Sequence, residues 1–278
     1  MKTDRNIAYN IIYYIVIAAI VVVFIYPFWW MVTNSLNNIN EIFGKPTLLP
    51  KSWMWENYIE IFRVQPFARH YLNTVIVALL GTLGNVLVSA LSGYAFARLR
   101  FPGRSALFIL LLTALMMPIE VTIVPMYFMM NGIGANDTLV PLVLIPIFCS
   151  QGAFSAFLLR QHFITVPKEL EEAARLDGLR PVGIFFRIML PISVPVLSSA
   201  AILAFLSVWN MYLEPLVFVS SLDKFTLPLS LSNFNDTYGL PQWNLQLAAT
   251  TLSVIPVMAF YLVFQNKISN AMVTSGMK

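Results

Sequence analysis

The sequence has little of what soluble enzymes use for chemistry. It holds one cysteine, Cys149, and two histidines, His70 and His162. A disulfide framework needs paired cysteines, and a zinc site needs Cys and His ligands at short spacings. Neither pattern is present, so no metal site is expected, and Cys149, inside an apolar run, reads as a small buried hydrophobe. Nor does the chain contain His-Glu-x-x-His or Gly-x-Ser-x-Gly, so no catalytic residue is expected. The phosphate-cradling pattern G-x-x-x-x-G-K-[ST] is also missing, and with it any means of holding ATP by that device.

Charge is scarce as well. Charged residues make up 11% of the 278 positions and hydrophobic residues 58%, against about 25% charged in an ordinary soluble domain. A water-soluble fold is excluded. The formal charge is +4, yet no basic face or stripe stands out, which argues against nucleic acid as a partner.

What the chain does have is apolar length. Six runs with little or no charge fall at about 11–32, 72–97, 105–130, 139–159, 190–219 and 245–264. Each reaches the roughly 17–25 residues that a bilayer-crossing helix needs, so the fold class is all-α, a polytopic membrane protein with six spans embedded in lipid. The first run is too long for a signal-peptide core and ends in Tyr26-Pro27-Phe28-Trp29-Trp30. That ending reads as an interfacial aromatic belt rather than a cleavage site.

Six spans put both termini on one side. That side carries Lys2, Arg5, Arg98, Arg100, Arg104, Arg160, Lys168, Arg175, Arg180, Arg187, Lys267 and Lys278, against Lys45, Lys51, Arg63, Arg69 and Lys224 on the other. The positive-inside rule then makes both termini cytoplasmic.

The loops are unequal. A long outer loop at about 33–71 carries Trp53, Trp55 and Tyr58, and the stretch Trp55 to Phe67 has the apolar spacing of a helix lying on the membrane. The cytoplasmic loop at 160–189 is different. Lys168 to Leu176 reads as helix, with Glu171 and Arg175 spaced to pair across one turn. Gly178 and Pro181 then stop it, and a second short amphipathic piece follows through Val182, Ile184, Phe185, Ile188 and Met189. The prediction is a helix-turn-helix elbow at the cytoplasmic face. In the second span Gly81, Asn85, Ser89, Gly93 and Ala97 recur every fourth residue, a face suited to close helix packing, with a pathway role for Asn85 as the alternative.

Polar residues within spans are candidates for a transport pathway, because burying them in lipid is costly. Glu120, about fifteen residues into the third span, is predicted roughly 20 Å along it at 1.5 Å per residue. Asn85, Gln151 and Asn210 offer hydrogen bonds to a polyhydroxylated solute, Trp209 and Tyr212 offer rings, and Glu214 lies near the outer end of the fifth span. Pro118, Pro125, Pro141 and Pro146 are expected to kink spans three and four.

The elbow reads Glu172-Ala173-Ala174-x3-Gly178-x9-Ile188-x-Leu190-Pro191. This spaced pattern resembles the EAA signature of bacterial ABC importer permeases. Tyr94-Ala95-Phe96-Ala97-Arg98, Phe101-Pro102-Gly103-Arg104, Met117-Pro118, Pro125-Met126-Tyr127, Trp209-Asn210, Pro215-Leu216 and the ending from Gln265 to Lys278 are similar to the smaller subunit of the maltose-type carbohydrate permeases. One departure is Met211, where an acidic or polar residue would be expected after the Asn.

The resemblance implies a type I importer permease fold in a single domain over 1–278, with spans two to six at about 69–266 and a coupling helix between spans four and five. It implies that Glu172, Ala173, Ala174, Gly178, Ile188, Leu190 and Pro191 seat an ATPase. It also implies a heterodimer with a homologous permease, two ATP-binding subunits holding ATP and Mg, an extracytoplasmic solute-binding protein, and residence in the bacterial cytoplasmic membrane. A sugar-like solute is expected, with glycerol phosphate as an alternative. A stand-alone ion-coupled secondary transporter is the competing class, and the inverted repeats and broken helices that mark it are not evident.

Overall fold

A computed structural model describes residues 2–236 and 238–276, with side chains over 9–236 and 238–262. The charges Lys2, Arg5, Lys267 and Lys278 and the family-like ending from Gln265 therefore lie outside the described side chains. Among the described residues the chain is helical, with one isolated bridge between Asn235 and Pro241. Four helices are long and apolar enough to cross a membrane, and up to six crossings are present if each of two bent pairs counts as one. The chain separates into two compact units, residues 1–66 with 231–255, and 67–230 with 256–278.

The first unit is built on α1 (Lys2–Ser35). Its side chains from Tyr9 to Trp29 are exposed, a surface that water would not tolerate and lipid would. The polar end of α1 is tied to the following loop. Trp29 Nε1 donates to the Leu48 carbonyl at 2.8 Å, and Asn57 Nδ2 donates to the carbonyls of Ser35 and Asn37 at 2.8 and 3.1 Å. The amphipathic helix expected after Trp55 is α2 (Asn57–Val64). Ile61 faces inward, while Trp55, Ile59 and Phe62, spaced four and three apart, face out.

The second unit is organised around α3 (Phe67–Arg98). Its small-residue face packs as the spacing predicts. A Cβ at Gly93 would stand 3.0 Å from the Arg160 amide nitrogen and 3.1 Å from the Ala156 carbonyl oxygen, so only glycine permits that approach. Ser89 Oγ donates to the Gly152 carbonyl at 3.0 Å.

The third apolar run is not one straight helix. It forms α4 (Arg104–Met116) and α5 (Ile119–Gly132), which meet at 107°. Proline disfavours the helical conformation at the residue before it, and Met117 and Pro118 are both extended. Counting along a single axis to Glu120 therefore fails at Pro118.

The fourth run divides into α6 (Val140–Phe148) and α7 (Ser150–Thr165), broken at Cys149. The elbow follows as α8 (Glu169–Leu176), α9 (Pro181–Ile184), a π-helical turn (Phe185–Met189) and the single turn α10 (Leu190–Ile192). The chain then bends by 80° at Ser193 into α11 (Val194–Trp209). The fifth run is thus shorter than its apolar length suggests. It stops at Trp209, turns over Asn210–Tyr212 and resumes as α12 (Leu213–Phe218). A short α13 (Leu227–Leu231) and the long α14 (Trp243–Gly276) complete the chain.

Candidate functional site: an elbow and an intramembrane cavity

The elbow is formed by local rules. Glu169, Glu171 and Glu172 fill the first turn of α8, where carboxylates meet the positive end of the helix dipole. Gly178 adopts φ +83°. Its N–H reaches the Arg175 carbonyl at 3.0 Å, and the Leu179 N–H reaches the Ala174 carbonyl at 3.0 Å, which is a Schellman ending. A Cβ at Gly178 would meet nothing within 4 Å. The left-handed backbone therefore selects glycine here, rather than lack of space.

Burial divides the signature residues into two faces. Ala174 is 3% exposed and joins Tyr94, Phe163, Ile184, Phe185 and Met189 in a core beneath the elbow. Ala173 and Glu172 face outward, and Leu176 is 91% exposed. Leu170, Ala173 and Leu176 recur every third residue along one edge of α8, and Val182 and Phe186 extend the exposed apolar surface beyond the turn. Ile188 and Leu190 are half-buried and Pro191 is exposed, just before the 80° bend.

The carboxylate that anchors the elbow is Glu171, one position before the signature. Its Oε1 lies 3.1 Å from Arg98 Nε, as an ion pair without hydrogen-bond alignment. The pairing with Arg175 that the four-residue spacing suggests is looser, at 3.9 Å. The sequence shows Arg98 as a topology charge and as the end of the family-like segment Tyr94–Arg98, and no local pattern relates it to Glu171, so far away in the chain.

The second feature is a cavity of about 350 Å³ within the second unit, inside the size range of small-molecule sites. The break between α6 and α7 supplies Ser150 and Gln151, the end of α11 supplies Ser207, the turn before α12 supplies Asn210 and Tyr212, and the first turn of α12 supplies Glu214. Met211, the departure from the expected pattern, lines it too. Among the lining residues Glu214 is the one acid, and no Lys or Arg contributes.

Three of the predicted pathway residues are not in this wall. Asn85 is buried, and its Nδ2 donates to the Pro146 carbonyl at 2.6 Å. That carbonyl lies where α6 is about to end, so the amide satisfies a backbone acceptor in the membrane interior. Trp209 is buried between Tyr71 and Phe205. Glu120 is exposed in the first turn of α5, beside the lining residue Ile119.

At the other end of the second unit, the carboxylate of Asp137 accepts from the backbone N–H groups of Ser220 and Ser221 at 3.0 and 2.9 Å, from Ser221 Oγ at 2.5 Å, and from Lys224 Nζ at 3.1 Å. Hydrogen bonds from Ser221, first through its hydroxyl and then through its amide, hold this carboxyl well below the usual range. This clamp between two loops was not anticipated, because its partners lie more than eighty residues away in the chain.

Residues 85–273 match the family described as "Binding-protein-dependent transport system inner membrane component". The diacetylchitobiose uptake system permease protein NgcG of Streptomyces coelicolor is 31% identical over 252 residues, covering 90% of this chain and 83% of that protein. The sn-glycerol-3-phosphate transport system permease protein UgpE of Pectobacterium atrosepticum is 36% identical over 252 residues, 88% of each chain. The fold matches a chain from the crystal structure of a bacterial ABC transporter involved in the import of the acidic polysaccharide alginate. The TM-score is 0.80 at 21% identity, over 96% of this chain and 98% of that one. With its spaced elbow, its apolar helices and these matches, the chain belongs to the binding-protein-dependent transport system inner membrane components and is a multi-pass permease of the ABC importer type.

Proposed function

We propose that this chain is one of two homologous permease subunits, forming a single transmembrane domain that passes a neutral, oligosaccharide-like solute inward by alternating access. Two separate ATP-binding subunits, carrying ATP and Mg, drive it from the cytoplasm, and an extracytoplasmic solute-binding protein delivers the solute. Both termini lie in the cytoplasm, the side that the excess of Lys and Arg favours. The observation that carries the reading is the exposed apolar edge of the elbow, from Leu170 through Ala173 and Leu176 to Val182 and Phe186. Leu176 at 91% exposure is costly in water unless something covers it. Glu172, Ala173 and Gly178 form the outward part of the docking surface, while Ala174, Ile188, Leu190 and Pro191 set its angle.

The solute class follows from the cavity. Gln151, Asn210, Ser150, Ser207 and Tyr212 present hydrogen-bonding groups suited to hydroxyls, and no Lys or Arg stands among the lining residues to pair with an anion. A phosphate-bearing solute would want Arg or Lys there. That favours the sugar reading over the glycerol-phosphate one, although a relative is named for the latter.

The test is co-expression with the neighbouring permease and ATPase genes, followed by affinity purification of this chain. Wild type should retain the ATPase, and Ala173→Glu should release it without loss of membrane insertion, because exposed substitutions usually change stability by no more than about 0.5 kcal/mol. ATPase retention by Ala173→Glu would remove the elbow from the docking role. Uptake of a neutral disaccharide that is blocked by glycerol 3-phosphate would overturn the solute class.

A further inference from the structure

Arg98 is the last residue of α3, and its side chain is 5% exposed. The guanidinium serves three segments together. Nε donates to the Phe163 carbonyl at 2.9 Å, Nη2 donates to the same oxygen at 2.5 Å and also to the Val166 carbonyl, and Nε pairs with Glu171 at 3.1 Å. Phe163 and Val166 sit at the end of α7, where helix carbonyls lack partners of their own. Glu171, 7% exposed, belongs to α8. Tyr94, one turn earlier on α3, packs its ring 6.0 Å from Phe163 and 5.2 Å from Phe185. The ends of α3 and α7 and the elbow helix therefore meet on one side chain.

Pulling Glu171 away would strand a buried charge, so α8 is constrained to carry the end of α3 with it. Further along, α3 grips the two helices that form one wall of the cavity. Asn85 holds the Pro146 carbonyl of α6, and Ser89 holds the Gly152 carbonyl of α7. Pro146, Ser150 and Gln151 line that wall.

We infer that the Arg98–Glu171 pair is the pin that hands displacement of the elbow to α3, and through Asn85 and Ser89 to the cavity wall. Arg98 and Glu171 are positioning residues, distinct from the outward surface that seats the ATPase. The inference rests on that surface being the ATPase dock.

The test uses the whole importer, with its second permease, ATPases and binding protein, reconstituted in proteoliposomes. Uptake and ATP hydrolysis are measured together for wild type, Arg98→Lys and the double variant Arg98→Met/Glu171→Met. Apolar replacement of both members strands no buried charge, and although the Phe163 and Val166 carbonyls lose their donor, the double variant should assemble, which co-purification of the second permease checks. The ATPase should co-purify at the wild-type level and hydrolysis should persist. Solute moved per ATP should fall by about tenfold in the double variant, within the usual range of couplings between sites. It should fall less in Arg98→Lys, whose single ammonium keeps the charge but not the fork. A merely structural role would lower uptake and hydrolysis in proportion, leaving the ratio unchanged.

A ratio within about twofold of wild type in the assembled double variant overturns the inference. So does loss of the co-purified ATPase from both variants, since the pair would then be shaping the dock. Failure of the dock itself is separable, because it appears as Ala173→Glu retaining the ATPase.

Discussion

Replacing Asn85 with Ala distinguishes a packing residue from a solute contact. Asn85 is 0% exposed, and its Nδ2 holds the Pro146 carbonyl at 2.6 Å. Alanine removes that bond and leaves the carbonyl without its donor. Hydrogen bonds between membrane helices are worth about 0.6 kcal/mol on average and up to about 1.7, and an orphaned buried acceptor costs about 1–3 kcal/mol. Some of this is returned, because Asn85 Oδ1 is itself buried without a partner. The net loss is about 1–2 kcal/mol, which for a chain of this size lowers the unfolding midpoint by about 2–8 °C. Asn85→Asp should be worse, because it sets a carboxylate oxygen against a carbonyl. The midpoints are read from tryptophan fluorescence of the detergent-solubilised chain, with solute KM from the reconstituted importer. KM should stay unchanged, since Asn85 is not in the cavity wall. A several-fold rise in KM with an unmoved midpoint would place Asn85 on the pathway and refute the packing account.

Other outcomes follow from single positions. Gly178→Ala should cost about 1–2 kcal/mol through its left-handed backbone, and Gly178→Asn should cost less. Amide exchange at the α8 ending reports both, and equal protection in Ala and wild type would show that the turn can adopt another conformation. Ala174→Glu places a carboxylate in the core beneath the elbow, so it should impair folding where Ala173→Glu impairs docking. The two variants behaving alike on a thermal ramp would contradict the two-faced elbow.

Asp137→Asn keeps a residue that tolerates the φ of +55° and removes the charge. The folded pKa of Asp137 is depressed, so its stabilisation is complete above the ordinary carboxylate value of about 3.9 and drains away as pH falls towards the folded value. The midpoint gap between wild type and Asp137→Asn should therefore be wide at pH 7 and narrower at pH 3. A gap that ignores pH would exclude the carboxylate as its source.

Much of this protein was legible in its residues alone. Apolar runs of span length, with 11% charge overall, leave only a membrane fold. The left-handed ending at Gly178 follows from a rule that acts over a few residues, and Pro118 was among the four prolines read as kinks. The small-residue face of α3 was visible as a period of four, because close helix approach needs small side chains wherever it occurs.

Other features needed the tertiary structure. Two apolar runs bend by 107° and 80°, and the sizes of those angles depend on what packs around the breaks. Ala173 and Ala174 are the same residue type in one motif, yet one faces out and the other fills a core. Only the orientation of α8 on α3 and α7 decides which. Gln151, Asn210 and Glu214 share a cavity, whereas Asn85 and Trp209 serve packing, because a polar side chain in lipid must satisfy either a ligand or a backbone group and sequence does not say which lies within reach. The pairs Arg98–Glu171 and Asp137–Ser221 join residues more than seventy positions apart. No local periodicity records such pairs, since folding alone brings those side chains into contact.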